Sequence, residues 1–438
     1  MSAGTVSERP HVRTLGPYSR MALAVRGWGL EASLAFGVFL LWRCAVVLDG
    51  QGLGVLVLGL LVLVLWRSQR VRRLVVSMLG SRSTRRWLSR VLVACEVISR
   101  HGALPRVEHV EVIPAGRRLD VRLAPGMTAE QIDDAAEAIA AVVGAREVRV
   151  LREPADASVA HLSILWRDPL SVPAPPWAGY PGSLWEPVPL GVDEDGAEVS
   201  IGLVERNVLL GGEPGAGKSV ALSLFIAAAA LDPEVRLTLM DGKQVELAPW
   251  AGSAEHFVGP DMADGIEVLK HLCAEMDRRY SVLLASGLRK IARDSDFSLY
   301  VVAIDELAFY MRSGTKDERT ELAEALRDLI SRGRAAGMIV VAATQKPSND
   351  IVPTYVRDLF SFRMALRCTT PEASDTILGQ GWAKEGYSAS TLDPMLRGVG
   401  WLLAEGAVPV KVRTHYLDDD AIANLAGIAA AKRKAAYW

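Results

Sequence analysis

The sequence predicts an α/β fold: a central, mainly parallel sheet with helices on both faces, preceded by a small α+β domain and an N-terminal transmembrane helical hairpin. Three observations predict it. From residue 189 onward, apolar strand-like runs alternate with longer helix-forming ones, the pattern of a parallel sheet with helical crossovers. Within that alternation, Gly212–Ser219 reads G-x-x-x-x-G-K-S and lies between the apolar Val208-Leu209-Leu210 and the helix-forming Val220–Leu231. Near the N-terminus, Ala32–Leu48 and Leu53–Trp66 are apolar runs joined by the turn-forming Asp49-Gly50-Gln51-Gly52.

Residues 1–27 form a polar, basic tail carrying Arg9, Arg13, Arg20 and Arg26. Across residues 28–66, each apolar run is shorter than the roughly 20 residues of a straight membrane span, but the pair suits a hairpin. Arg43 would cost about 2.5–3.5 kcal/mol at a helix centre, less if its guanidinium snorkels toward the turn. Arginines flank the hairpin on both sides, so the positive-inside rule places both termini in the cytoplasm of a multi-pass protein of the cell membrane. No small-residue cleavage site follows a single apolar run, which argues against a signal peptide, and a buried core hairpin is the other reading. Residues 67–106 continue with arginines among Val71, Leu74, Met78 and Trp87, a pattern for a helix lying on anionic lipid, with nucleic acid as the alternative ligand. Residues 1–106 hold 15 Arg, no Lys and four acids, a net of +11, in a chain whose net charge is −2. A basic front on an acidic body points to an anionic partner for the front.

The chain of 438 residues has room for two or three domains, and its mean hydropathy of +0.19 is high for a soluble protein. Its four cysteines show no C-x-x-C spacing and its seven histidines no H-E-x-x-H, so they read as reduced, and no metal site is expected beyond Mg²⁺ accompanying a nucleotide. Residues 107–167 read as the small α+β domain. Val107–Ile113, Leu119–Leu123, Val148–Leu151 and Ala160–Trp166 alternate like strands, and Thr128-Ala-Glu-Gln131 is a capping box opening a helix through about Val143. The Pro- and Gly-rich residues 168–188 read as a stiff linker. In residues 189–416, strands are expected at Asn207–Leu210, Val235–Met240, Leu299–Ile304, Met338–Ala343, Ser361–Leu366 and Gly398–Leu403, and helices at 218–231, 262–286, 317–333 and 371–379. Residues 417–438 read as a helix over Asp418–Ala431 with a basic tail.

The glycine loop is a phosphate cradle. Gly212, Gly215 and Gly217 let the backbone curl its N–H groups inward, so Gly212, Glu213, Pro214, Gly215, Ala216, Gly217, Lys218, Ser219 and Val220 are the candidate ATP-binding residues. Lys218 would reach the β- and γ-phosphates, and Ser219 would hold Mg²⁺. Asp305-Glu306 ends an apolar strand. Asp305 would join Ser219 on the metal, and Glu306 would polarise the attacking water; the competing reading is a solvated acidic strand end. Gln345, closing another apolar strand, could sense the γ-phosphate. Arg334, with Arg332 in reserve, is the candidate to neutralise transition-state charge from a neighbouring subunit, although a helix end favours cations in any case.

Several segments together resemble the FtsK/SpoIIIE family of double-stranded DNA translocases. They are Asn207–Ser219, Leu239-Met-Asp-Gly-Lys-Gln-Val-Glu-Leu247, Glu275-Met-Asp-Arg-Arg-Tyr280, Val301–Leu307, Gly333–Ser348, Val356–Arg363 and Asp375-Thr-Ile-Leu-Gly-Gln380, in family order over roughly 190–415. Residues 107–167 also resemble the small domain preceding the motor in that family. The two-span N-terminus followed by one motor resembles the Tra-type transfer proteins of actinobacterial conjugative elements. The resemblance implies a RecA-like P-loop ATPase, a hexameric ring around duplex DNA with ATP sites between subunits, Arg334 as the trans-acting residue, and Lys346, Arg357 and Arg363 near the pore as DNA-binding residues. Backbone contacts of that kind suit a motor that must move over any sequence. Two departures stand out. Cys368–Asp375 is acidic where relatives often carry basic residues, and the residues after Tyr416 are too few for a winged helix, so a separate DNA-loading or sequence-recognition protein is an expected partner. The rival readings are a secretion-type ATPase moving protein and a non-hydrolysing nucleotide-gated membrane scaffold. A scaffold would have no use for Glu306.

Overall fold

The structure is a computed structural model that describes residues 87–172, 174–177, 179–180, 182–345, 347–348 and 354–436. The basic tail, both apolar runs and residues 67–86 of the Arg-rich stretch lie outside the described residues, as does Lys346. Among the described residues, no helix is long and apolar enough to cross a membrane.

The described chain falls into two compact units, residues 87–111 with 119–127, and residues 112–118 with 128–438. A four-stranded sheet has the order β1-β2-β4-β3, built from β1 (Arg106–Ile113), β2 (Gly116–Arg122), β3 (Glu147–Arg152) and β4 (Val159–Leu165). Between β2 and β3 lie α1 (Ala129–Asp133) and α2 (Ala136–Val143). The Thr128 capping box forms as the sequence predicts, its hydroxyl accepting from Gln131 N while the Gln131 side chain accepts from Thr128 N. The expected single helix breaks at Asp134-Ala135.

A ten-stranded sheet dominates the larger unit, in the order β6-β5-β14-β13-β12-β7-β11-β10-β8-β9. Its strands are β5 (Val188–Asp193), β6 (Glu198–Ile201), β7 (Val208–Gly211), β8 (Val235–Met240), β9 (His256–Val258), β10 (Leu299–Ile304), β11 (Met338–Thr344), β12 (Phe362–Leu366), β13 (Val399–Ala404) and β14 (Val410–Thr414). From β12 through β7, β11, β10 and β8 to β9 every pairing is parallel. From β12 through β13, β14 and β5 to β6 every pairing is antiparallel. The sheet is therefore mixed rather than mainly parallel. Chain lengths account for part of this, although the antiparallel β12 and β13 are joined by the long segment 367–398. The helices α3 (Lys218–Leu231), α4 (Met262–Ala285) and α6 (Lys316–Arg332) supply crossovers long enough for parallel pairing. The short connections between β5 and β6 and between β13 and β14 permit only hairpins. The expected strands and helices at the parallel centre lie where the sequence puts them, to within a residue or two, but β5 begins inside the stretch read as linker.

Successive residues of the central strands pack on opposite faces. Val208, Leu210, Leu239, Val301, Ala303, Ile339 and Val341 join a core with α3 and with α9 (Asp419–Ala436). Leu209, Met240, Val302, Ile304, Val340 and Ala342 join a second core with α4, α6 and α8 (Pro371–Leu378). Helix α3 is apolar on nearly every side and correspondingly buried from Ala221 to Leu231. Its last carbonyls are capped from α9, where buried Arg433 donates to Ala229 O at 3.0 Å, Ala230 O at 3.3 Å and Asp232 O at 3.3 Å.

Candidate active site

Parallel strands carry their functional loops at their carboxyl ends, and here β7, β11 and β10, adjacent in the sheet, end together. β7 runs into the glycine loop, and Gly217 shows why that loop needs glycine. Its φ is +103°, and a Cβ there would lie 2.8 Å from the backbone N of Gly398. Gly217 also caps α3, whose first residues are Lys218 and Ser219, so free N–H groups and the positive end of the helix point at whatever the loop holds. Lys218 is buried and its ammonium donates to Glu213 O at 2.8 Å. Burial pulls its pKa below the usual lysine range, opposed by the nearby Glu306 and Asp305. Elsewhere in the loop, Ala216 is buried and its carbonyl accepts from Gly398 N at 2.9 Å, Pro214 and Gly215 are exposed, and Gly212, Ser219 and Val220 flank the turn. The Glu213 carboxylate pairs with Arg367 at 2.7 Å and accepts from Thr369, which ties the loop to the segment after β12.

β10 delivers Asp305 and Glu306. Glu306 is buried and is the N-cap of α5 (Leu307–Arg312), accepting from Ala308 N at 3.2 Å. The end of β11 also donates to its carboxylate: Thr344 Oγ1 at 3.0 Å and Gln345 N at 3.1 and 3.2 Å to its two oxygens. Gln345 thus reaches Glu306 through its main chain. Asp305 is the opposite case. It is 5% exposed, and its Oδ2 is buried with no hydrogen-bond partner. Burial first, then the neighbouring Glu246 and Asp241, push its carboxyl up to about 6. A buried carboxylate oxygen without a partner, beside a phosphate loop with a serine at the helix start, fits a divalent cation, for which carboxylate and hydroxyl oxygens are the right donors. Among the described residues, no cluster of three or more His, Cys, Asp or Glu could hold a metal by itself.

The arginines lie elsewhere. Arg334 precedes β11 and Gln345 follows it, so the seven residues of β11, at about 3.3 Å each, put roughly 20 Å between Arg334 and its own chain's phosphate loop. The Arg334 guanidinium is 39% exposed, donates to Ser361 Oγ at 2.6 Å and lies 3.7 Å from Glu405. Arg332 is engaged by Asp328 and Asp277. Arg357 is buried in α7 (Thr354–Arg357) and pairs with Asp358 at 2.9 Å; Arg363 pairs with the same carboxylate at 3.1 Å, and its Nε is buried without a partner. Neither presents a free guanidinium to solvent in this conformation.

Sequence reasoning assigned no role to Asp241, Thr344 or Ser361. Asp241 is fully buried, and its two carboxylate oxygens accept from the backbone N–H groups of Lys243, Gln244, Val245 and Leu247 at 2.9–3.0 Å, folding the segment after β8. The signal was there, an Asp-Gly pair directly after a strand. Thr344 and Ser361 carry no such signal, because their roles come from the neighbouring strands.

A glycine phosphate loop and a carboxylate pair on strands whose ends the sheet brings together define a P-loop ATPase. Residues 182–380 match the model of the FtsK/SpoIIIE family, and the chain carries a domain of that family. Among curated relatives, the DNA translocase FtsK of Staphylococcus epidermidis is 25% identical over 368 residues, 78% of this chain and 44% of that protein. The DNA translocase FtsK of Bacillus cereus is 29% identical over 252 residues, 53% of this chain and 30% of that protein. The chain thus spans less than half the length of these relatives. Among solved structures, the pCW3 conjugation coupling protein TcpA, a monomer form with ATPγS, shares the fold at a TM-score of 0.50 and 17% identity, over 76% of this chain and 94% of that one.

Proposed function

We propose that the protein is a membrane-anchored translocase of double-stranded DNA driven by ATP hydrolysis, a RecA-like motor working as a hexameric ring during conjugal transfer or chromosome segregation. The observation that carries the reading is Glu306, buried and fixed by Ala308, Thr344 and Gln345 at the strand ends beside Lys218. A binding-only site has no need of a carboxylate aimed so firmly. The family domain and the FtsK relatives support DNA as the substrate.

In this mechanism the loop from Gly212 to Val220 binds the phosphates through its N–H groups, and Lys218 exchanges its contact with Glu213 O for them. Ser219 and Asp305 would hold Mg²⁺, which supplies charge neutralisation at the phosphates when bound. Glu306 orients and polarises the attacking water, with the main chain of Gln345 fixing its carboxylate. Arg334, remote from its own loop, serves the site of the next subunit, so hydrolysis depends on and alters how subunits sit together. Lys346 contacts DNA phosphates, and Arg357 and Arg363 join it only where Asp358 releases them. The N-terminal hairpin holds the ring at the cell membrane with both termini in the cytoplasm, and a separate protein supplies sequence recognition.

The test is steady-state ATP hydrolysis by the full chain with and without long duplex DNA, beside Glu306→Gln. Stimulation by duplex that is weakened by salt and lost in the variant is the expected result. Hydrolysis indifferent to duplex would overturn DNA as the substrate, and ATP binding without turnover under every condition would overturn the motor.

A further inference from the structure

The turn carrying Arg334 is held from an unexpected direction. Between α6 and β11 the chain makes a short 3-10 turn, Gly333–Ala336, closed by Gly337 at φ +75°, where a Cβ would lie 2.2 Å from Ile291 Cδ1. A free turn would leave its carbonyls to water. Here protein groups take carbonyls of the turn and of the helix end that leads into it. Ile330 O accepts from the Asn207 side chain at 3.2 Å, Arg332 O accepts from the Tyr280 hydroxyl, Ala335 O accepts from Ile291 N at 3.0 Å, and Ala336 O accepts from Arg279 at 2.7 Å. Two of these donors are neighbours on one helix, α4.

Arg279 is the more unusual. It is 2% exposed, yet it serves no ligand. One guanidinium nitrogen spans Ala336 O and Ser298 O at 2.8 Å, its Nε is paired with Glu275 at 2.9 Å, and its plane is packed against the rings of Tyr300, 4.8 Å away, and Phe297, 5.1 Å away. A buried charge is costly unless paired, and this one is held through both Nε and Nη1 and stacked between two rings. The segment Glu275–Tyr280 stands out in the sequence, but no step of the proposed mechanism uses it.

We propose that Arg279 and Tyr280, braced by Glu275, are positioning residues for Arg334: they fix the turn in one subunit so that its guanidinium reaches the nucleotide site of the next at a set distance. The inference rests on the reading of Arg334 as a trans-acting residue. Three features support it. Arg334 lies too far from its own loop to act there. Its side chain is already aimed by buried Ser361, while Arg332 beside it is tied down by Asp277 and Asp328. And a residue that must meet a charge on another subunit has no partner within its own chain to correct its position, so its backbone must be fixed beforehand; a misplacement of about 1 Å can cost a hundredfold in rate.

The test uses the full chain and duplex-stimulated ATP hydrolysis. Tyr280→Phe removes only the hydroxyl on Arg332 O, and Arg279→Lys keeps the charge but not the fork. Both should lower kcat about tenfold while leaving KM for ATP and ATP binding near those of the parent. The deciding readout is subunit mixing. Glu306→Gln subunits have a dead site but an intact Arg334 turn, so mixing them with Tyr280→Phe subunits should raise activity above the mean of the two alone. Arg334→Ala mixed with Glu306→Gln should do the same. If Arg334→Ala is rescued and Tyr280→Phe is not, the positioning role falls and the trans reading stands. If neither is rescued, the trans reading falls and takes this inference with it. Unchanged kcat in both Tyr280→Phe and Arg279→Lys would also overturn the inference.

Discussion

The two ends of the parallel strands are built on opposite principles. At the carboxyl ends, Glu306 and Asp241 are well supplied with donors, but Asp305 has a buried oxygen with no partner, and Lys218 contacts a backbone carbonyl of its own loop. At the amino ends, beside Arg334, the turn's carbonyls are taken by Asn207, Tyr280, Ile291 and Arg279, and the guanidinium itself remains partly exposed. Under the proposed function, the carboxyl end is the receiving one, where a nucleotide and its Mg²⁺ would complete these groups. Under the proposed trans role of Arg334, a presenting end satisfied beforehand would keep slack out of the neighbouring subunit's site.

Kinetics should show the largest contrast. Glu306→Gln is expected to lower kcat by about a hundredfold or more with ATP binding retained, since it removes the group that handles the water proton and leaves the loop intact. Single-turnover hydrolysis beside equilibrium ATP binding checks this, and a near-parental rate would remove Glu306 from the mechanism.

Stability should show the next. Arg433→Ala uncaps α3 by removing charged donors from three buried carbonyls, and a loss of about 2–4 kcal/mol in denaturant unfolding is expected. A change below about 0.5 kcal/mol would mean that water replaces the guanidinium.

Asp305→Asn should reverse the usual sign. Its carboxyl titrates near 6 in the fold against 3.8 ordinarily, so the folded state holds the proton more tightly between those values. Wild-type stability therefore falls as pH rises through that window, and the full penalty is present above about 6. Without nucleotide and Mg²⁺, the variant should be more stable at pH 8 by about 1–2 kcal/mol, with the gap closing toward pH 4, while hydrolysis is lost. Melting curves across pH decide it, and a variant less stable at pH 8 would contradict the picture of an ion site awaiting its ion.

The smallest effect belongs to the other end. Arg278 and Arg279 hold Glu275 down to about 2 from 4.5, so its contribution to stability is complete above pH 4.5 and is lost as pH falls toward 2. Glu275→Gln should flatten the acid limb of the stability curve in that window. An unchanged limb would separate the brace of Arg279 from its charge.

The sequence made the receiving end legible and left the presenting end obscure, for physical reasons. A phosphate loop needs glycines and a lysine at fixed spacing, and a carboxylate pair ending an apolar strand is a local pattern, so β7, α3 and β10 could be placed from the residues alone. The distance from Arg334 to its own loop was also within reach, since a strand of known rise separates Arg334 from Gln345. The burial of Arg357 was not, because it depends on Asp358 and on α8 closing over it. Nor was the antiparallel half of the sheet. β5, β6 and β14 are short strands, and what joins their two hairpins into one sheet is the pairing of β5 with β14, far along the chain, as with Val412 opposite Asp193, so no local period announces it. Helix α5 escaped notice because Glu306, read only as a catalytic carboxylate, is also its cap.

The rims of the large sheet have a consequence for how copies of this chain meet. One rim is β6, four residues long, and the other is β9, three residues long. Such stubs offer too few free amides and carbonyls to template a strand from another molecule, a common defence of open sheets against runaway polymerisation. Copies of this chain that meet must therefore recognise one another through side-chain surfaces rather than through shared strands.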